Sequence, residues 1–380
     1  MTVYLDCNAT TPLEPRVQSV IQRYMEEEYG NAASPVHQYG EGARMAVETG
    51  RTQVARVVGA RRDEVIFTSG ATEANNLAVL GLADYGLATG RRHLVTTALE
   101  HKSVLEPMEY LASRGFSLTI LPADSSGRVS AQNAAAALRP DTLLVSVMQV
   151  NNETGIRQPV EEIATVLEGH DAFFHVDAAQ GFGKELVSLQ HPRIDMISAS
   201  AHKIFGPKGV GALIARRRGG SCPPLQPLQF GGGQEQGLRP GTLAVPLIAG
   251  FGTAASMAVR QEQQRHSACE AFRRQVLAGL QGLTYHINGD PQYCLPHTLN
   301  ISLPGVPTME AVRVVKEHIA ISSGSACTAH TAEPSHVLHA MGLSEKRVAT
   351  AIRLAWCHLT PPVDWPSVVQ QWKQVMNKGE

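Results

Sequence analysis

The stretch EVIFTSGATEANNLAVLGLADYG, residues 64–86, decides how this chain is read. Val65 to Thr68 is a short apolar, β-branched run, the pattern of a buried strand. Ser69-Gly70-Ala71-Thr72 then turns, and the Ala- and Leu-rich run that follows has helical spacing. Small residues at such a turn let backbone N–H groups converge on an anion. The helix N-terminus adds the positive end of its dipole, and Thr72 adds a hydroxyl. An ordinary N-cap accounts for the same residues, so this stretch alone leaves a phosphate site and a plain helix start both open.

The pattern recurs on either side. Strand-like runs stand at Leu94 to Thr97, Leu143 to Met148 and Phe173 to Asp177, and again in DMISAS and VGALIA. Between most of them lie segments with helical spacing. This alternation predicts an α/β fold with a mainly parallel sheet covered on both faces, and such sheets place ligands at the carboxyl ends of their strands. The character changes near residue 255. Residues 254–283, AASMAVRQEQQRHSACEAFRRQVLAGLQGL, read as one long helix with an apolar stripe and a charged face. Shorter strand-like runs follow in TLNISL, HIAIS and AIRLAW. The expected organisation is a large domain over 16–255 and a smaller α+β domain built from 1–15 and 256–380.

Composition narrows the function. The chain has 380 residues, 33 basic and 34 acidic, for a formal net charge of −1. That balance gives no electrostatic case for nucleic acid or an anionic membrane. No apolar run reaches transmembrane length, and MTVYLDCNATTP lacks the pattern of a signal peptide, so a cytoplasmic protein is expected. The six cysteines are scattered with no CxxC, which reads as reduced thiols and not as a disulfide framework.

Two further strand ends carry chemistry. In HVDAAQGFGK, Asp177 closes an apolar strand at the edge where ligands bind. A carboxylate buried there needs a partner, and a protonated heterocyclic nitrogen is a good one. Gln180 stands three residues on and can reach the same ligand; an N-cap aspartate is the plainer alternative. In SASAHKIFGPKG, Ser200, His202 and Lys203 crowd another strand end. A hydroxyl, an imidazole and an amine together suit a phosphate and an imine-forming lysine. Lys208 reads as a solvated turn lysine, and a surface cluster would account for all four.

Taken together, these stretches resemble the fold-type-I enzymes that use pyridoxal phosphate, specifically the cysteine desulfurases of the NifS/IscS type. YLDCNATTPLEPRV, EVIFTSGATEANNLAV, ALEHKSVLEP, VNNETGIRQPV, HVDAAQGFGK, SASAHKIFGPKGVGAL, GGGQEQGLRPGTLAVP and SSGSACT…EPSHVL align in order over nearly the whole chain. The resemblance implies a seven-stranded, mainly parallel sheet and pyridoxal 5'-phosphate as cofactor. It implies that Lys203 forms the imine, that His101 lies over the ring and takes part in proton transfers, and that Asp177 pairs with the ring nitrogen. Gln180 is implied at the ring hydroxyl, and Asn152 near that edge and the substrate. Ala71, Thr72, Ser200 and His202 are implied at the phosphate. Thr242 resembles a residue that reaches the phosphate from a partner subunit, which implies a homodimer. Arg353, in an apolar run, is implied at the α-carboxylate of L-cysteine; an internal salt bridge is the alternative.

The same resemblance explains SSGSACTAHTAEPSHVL, residues 322–338. Cys327 sits among Ser, Gly, Ala and Thr, with nothing bulky between Ile321 and Glu333-Pro334. In the implied reaction a thiolate removes sulfur from substrate and then presents it to an acceptor protein outside the pocket. One sulfur visits two places, and a segment that buries little apolar surface, about 322–333, is cheap to open. Cys327 is therefore the expected nucleophile, with Pro334 as a helix start and Gly342 as its stop. The long spacing from Cys327 to Pro334 resembles the branch with an extended cysteine loop. His330, His336 and His339 do not amount to a metal site, and none is expected. Cys7 reads as a buried small residue or as a second thiol, and Gln234 stands where relatives often carry His. Overall likeness makes the desulfurase of bacterial DNA phosphorothioation one candidate. Selenocysteine lyase, an ordinary aminotransferase and a non-catalytic scaffold are the competing readings.

Overall fold

The computed structural model describes residues 2–34, 36–323 and 334–377. Its strands, in chain order, are β1 (Val3–Tyr4), β2 (Val65–Thr68), β3 (His93–Thr97), β4 (Ser117–Leu121), β5 (Thr142–Met148), β6 (Phe173–Asp177), β7 (Met196–Ser200), β8 (Gly211–Ala215), β9 (His286–Ile287), β10 (Thr298–Ser302), β11 (Ile319–Ala320) and β12 (Ala351–Ala355). Among the described residues, seven of them form one sheet in the order β2-β8-β7-β6-β5-β3-β4. β8 runs antiparallel to both its neighbours; the other pairs are parallel.

Six of these seven strands are buried along their whole length, and only the edge strand β4 is partly exposed. Helices cover both faces, so a strand here needs apolar residues on both sides. The period of two sorts them: Val65 and Phe67 enter one core while Ile66 enters the other. A third core stands apart. Leu299, Ile301, Ile352, Leu354 and Trp356 pack with Phe272 and Trp372 around the antiparallel sheet β12-β10-β9. β1 pairs in parallel with β11, and Leu5 joins that third core.

The long helix expected over 254–283 is two helices, Val245–Arg260 and Glu262–Gly279. The break falls at Gln261 (φ −113°, ψ 11°), whose side-chain oxygen accepts from Arg265 Nε and Nη2 at 3.1 and 2.9 Å. Gln261 leaves helical geometry but still opens the second helix, its carbonyl accepting from Arg265 N–H at 2.8 Å. The helix expected from Pro334 starts at His336, because the Ser335 hydroxyl caps it by accepting from Leu338 N–H at 3.1 Å. Gly342, with φ +75°, ends that turn. No described helix is long and apolar enough to cross a membrane.

The sheet's parallel register sets Met148 beside Asp177 and Asp177 beside Ser198, so β5, β6 and β7 end on one edge. Antiparallel pairing brings the start of β8 to the same edge. A side chain on Gly211 would meet Gly70 Cα at 2.6 Å and Ala199 O at 2.5 Å. Only glycine lets the turn after β2 approach this closely.

Candidate active site

A cavity of about 550 Å³ opens at the carboxyl ends of the central strands. Ala71, Thr72, His101, Asn152, Asp177, Gln180, Ser200, His202, Lys203 and Arg353 all line it. Exposed Lys208 lines it as well, although the sequence places it in a solvated turn. Thr242 does not; it lies in a separate hollow with Asn31, Gln234 and Glu235. Cys327 and His330 lie outside the described residues.

Asp177 is the last residue of β6 and is 4% exposed. Its Oδ1 accepts from Ala179 N–H at 2.9 Å and its Oδ2 from Asn75 Nδ2 at 2.8 Å. Both donors are neutral. A carboxylate buried this deeply is better satisfied by a cation, and a protonated ring nitrogen supplies one. The Asn75 amide also donates to Ser103 Oγ at 2.9 Å, and Ser103 Oγ lies 2.8 Å from His101 Nδ1. Ser103 N–H donates to the same Nδ1 at 3.1 Å, so His101 caps the helix Lys102–Ala112 and its ring is oriented by that cap. One chain of hydrogen bonds thus runs from Asp177 through Asn75 and Ser103 to His101.

Lys203 closes a tight turn directly after β7. Its Nζ donates to the carbonyls of Asn8 and Ala9 at 2.5 and 2.9 Å. Gln180 Nε2 donates to the same Asn8 carbonyl at 2.8 Å, and its buried Oε1 has no hydrogen-bond partner. The turn is held from below. Thr11 Oγ donates to His202 O at 2.9 Å and accepts from Phe205 N–H at 2.8 Å. Phe205 sits in the left-handed region at φ 69°, which costs an aromatic residue about 1–2 kcal/mol. Burial, reinforced by the charges of Lys203 and Lys208, lowers the His202 pKa to about 4, so its imidazole is neutral near pH 7.

Arg353 projects from the middle of β12 and is 2% exposed. Its Nη2 pairs with Asp6 Oδ1 at 2.6 Å and its Nη1 donates to Asn152 O at 2.8 Å. The two readings of this residue therefore meet: it lines the cavity and it is also an internal ion pair. The described residues on each side of 324–333 stand close by. Arg353 N–H donates to Ser322 O at 2.9 Å, and Ser335 Oγ donates to Glu153 Oε2 at 2.6 Å, one residue beyond Asn152.

The functional network includes residues the sequence reading passed over: Asp6, Asn8, Asn75 and Ser103. Asn75 left a signal, an amide placed on the otherwise apolar buried side of a helix, where it needs polar partners. Cys7 is 2% exposed and packs with Phe205, Ala355 and Cys357, apart from this cavity. Gln234 Oε1 accepts from Gly241 N–H at 2.8 Å and holds its glycine-rich loop closed.

The buried Asp177 with neutral donors, the unpartnered Gln180 Oε1 and the small-residue turn before Ala71 fit a phosphorylated heterocycle whose ring nitrogen is protonated and whose edge carries a hydroxyl. The comparisons with known proteins agree. The model of the aminotransferase class-V family matches residues 3–359. A human protein named cysteine desulfurase is 41% identical over 353 residues, 92% of this chain and 76% of that protein. Among solved structures, a NifS-like protein superposes with a TM-score of 0.89 at 36% identity, over 100% of this chain and 99% of its own. DndA from Streptomyces lividans does so with a TM-score of 0.81 at 47% identity, over 92% and 98%.

Proposed function

Because the chain belongs to the aminotransferase class-V family, we infer that it is a cysteine desulfurase. Enzymes of this family depend on pyridoxal phosphate. The reaction assigned here converts L-cysteine to L-alanine. The substrate's Cβ–S bond breaks, an S–S bond forms to Cys327, and the persulfide sulfur then passes to an acceptor protein. The observation that carries this reading is the convergence of Lys203, His101, Asp177 and Arg353 on one cavity.

When bound, pyridoxal phosphate serves as an electron sink that loosens bonds at the substrate's Cα and Cβ. The protein's own residues do the rest. Asp177, braced by Asn75 and Ala179, keeps a ring nitrogen protonated. Ala71, Thr72, Ser200 and neutral His202 offer N–H and hydroxyl groups to a phosphate. Arg353 takes the α-carboxylate, and the Asn8 and Ala9 carbonyls hold Lys203 Nζ where it can remove and return the Cα proton. His101, its ring fixed through Ser103, would help hold the cofactor and move protons in the cavity.

We assign a homodimer as well. Thr242 lies outside its own chain's cavity, which is consistent with reaching a partner's. We propose the division into 16–255 and 1–15 with 256–380: one core draws only on the latter segments, although Val337, Leu338, Met341, Val348 and Ala351 pack into the core of the large unit. A cytoplasmic location is part of the same reading, and the five described cysteines are all free thiols. Iron–sulfur cluster assembly, tRNA modification and DNA sulfur modification are the candidate destinations of the sulfur, and likeness to DndA keeps DNA phosphorothioation among them.

The test is direct. Protein loaded with pyridoxal phosphate is expected to be yellow and to form alanine from L-cysteine. After incubation it should carry one extra sulfur at Cys327 by mass spectrometry. Lys203→Ala should lose the bound colour. A yellow protein that never gains sulfur at that position would overturn the assignment, and a much faster turnover of selenocysteine would move it to the lyase reading.

A further inference from the structure

A second group of nucleophilic side chains lies behind the wall of the active-site cavity. Residues 7–11 and 202–205 form that wall. On its far side is a small cavity of about 50 Å³ whose lining includes Cys7, Cys357, Cys269, Lys184 and His297. Cys7 and Cys357 are 2% and 7% exposed and belong to one packed cluster with Phe205 and Ala355. Cys7 N–H donates to Ala355 O at 2.9 Å, which ties its backbone to the strand that leads to Cys357. The Cys357 sulfur accepts from Thr360 O–H at 3.7 Å.

A hydroxyl donor and a neighbouring thiol beside one buried sulfur suit a thiolate. The counter-charge is present. Lys184 Nζ is buried with no hydrogen-bond partner and lines the same cavity. An ammonium buried without a hydrogen bond costs several kcal/mol unless an anion offsets it. Burial lowers the Lys184 pKa to about 8, while the adjacent Cys7 S–H, helped by Thr360 O–H, holds the Cys357 thiol below the usual thiol range. The neighbouring Cys357 sulfur, together with burial, pushes Cys7 upward and keeps it a thiol. Cys269, raised by burial to about 12, is not a competing thiolate near neutral pH. The other titratable groups lining the cavity are Arg265, Glu262, His266, His297 and His358, of which His358, its pKa lowered by burial to about 4, is neutral.

We propose that Cys7 and Cys357 are a second reactive-thiol site, a redox pair oxidised by hydrogen peroxide to an intramolecular disulfide. The Cys357 thiolate attacks one peroxide oxygen and the O–O bond breaks. Cys357 becomes a sulfenic acid, and the departing hydroxide takes a proton from Lys184 to leave as water. Cys7 then attacks the sulfenic sulfur, and its proton leaves with the hydroxyl as a second water. Two thiols are oxidised and one peroxide is reduced. About 50 Å³ holds only a few water-sized molecules, which suits hydrogen peroxide and excludes bulky hydroperoxides. The pair is placed to matter: Asp6 grips Arg353, and the carbonyls of Asn8 and Ala9 grip Lys203, on either side of Cys7.

The experiment begins with the unaltered, cofactor-loaded protein. It is treated with hydrogen peroxide, denatured with an alkylating reagent present, digested and analysed by mass spectrometry. A peptide linking positions 7 and 357, released by reductant, is the expected product. Cys7→Ser should leave Cys357 trapped by a dimedone-type reagent, and Lys184→Met should slow oxidation about tenfold by depleting thiolate. Both cysteines remaining alkylatable after exposed Cys222 has been oxidised would overturn the proposal, as would a link from Cys357 to Cys269. The unaltered protein decides the question even if the variants do not fold.

Discussion

Glu100 allows the electrostatics of the site to be tested without changing any residue that lines the cavity. It follows β3, is fully buried, and precedes His101. Its Oε1 accepts from Thr97 Oγ at 2.7 Å and from Met148 N–H at 2.8 Å, while its Oε2 has no hydrogen-bond partner. Burial pushes the carboxyl from 4.5 up to about 8; the two hydrogen bonds oppose the rise and the charge of Asp177 adds to it. The folded pKa is above the unfolded one, so the folded state binds the extra proton between those values. Below about pH 4.5 both states are protonated and nothing is lost. Through the window up to about pH 8, stability falls by about 1.4 kcal/mol per pH unit, or roughly 4–5 kcal/mol in all. Glu100→Gln keeps the Oε1 acceptor and cannot ionise. Its new N–H₂ replaces an oxygen that lacked a partner and costs about 1–2 kcal/mol in that dry site. The variant should therefore be slightly less stable than the parent at pH 5 and about 3 kcal/mol more stable at pH 8. Urea unfolding followed by circular dichroism at the two pH values reads this directly. A stability difference that stays constant between pH 5 and pH 8 would refute the reasoning, because it would mean that Glu100 is ionised in the folded protein.

Asn75→Ala removes the bonds to Asp177 Oδ2 and Ser103 Oγ, so it should weaken pyridoxal phosphate binding by at least about tenfold. Dialysis followed by the bound cofactor's visible absorbance measures this, and unchanged retention would count against the network. Asp6→Asn keeps an acceptor for Arg353 and should leave KM for L-cysteine within about threefold, whereas Asp6→Ala frees the guanidinium and should raise it at least about tenfold. Equal effects of the two variants in steady-state kinetics would assign the role to charge and not to positioning. Ser335→Ala removes both a helix cap and the bond to buried Glu153, and should lower the unfolding free energy by about 2–4 kcal/mol. An unaltered urea midpoint would show that this anchor contributes nothing.

Local patterns were enough to find the strand ends that line the cavity. Continuous apolar runs could only be strands covered on both faces, so a polar residue closing such a run, as Asp177 does, had to stand at the sheet's edge. Lys203 and His202 were legible for the same reason, because they follow β7 directly. The split at Gln261 was not legible: helical periodicity continues across it, and only the backbone angles of that one residue mark the interruption.

What local pattern could not supply is the partner of each group. Asp177 and Asn75 are 102 residues apart, and Arg353 and Asp6 are 347 apart, yet each pair is in contact. Nor did periodicity show that Cys7 points away from the substrate side to meet Cys357 behind the wall. The amino-acid sequence by itself determined which chemical groups stand at the ends of buried strands, because hydrophobic burial acts on neighbouring residues and leaves a periodic trace. Tertiary structure alone decided which of those groups touch. Hydrogen bonds and ion pairs act over about 3 Å, and that closeness between distant segments exists only once the sheets have packed.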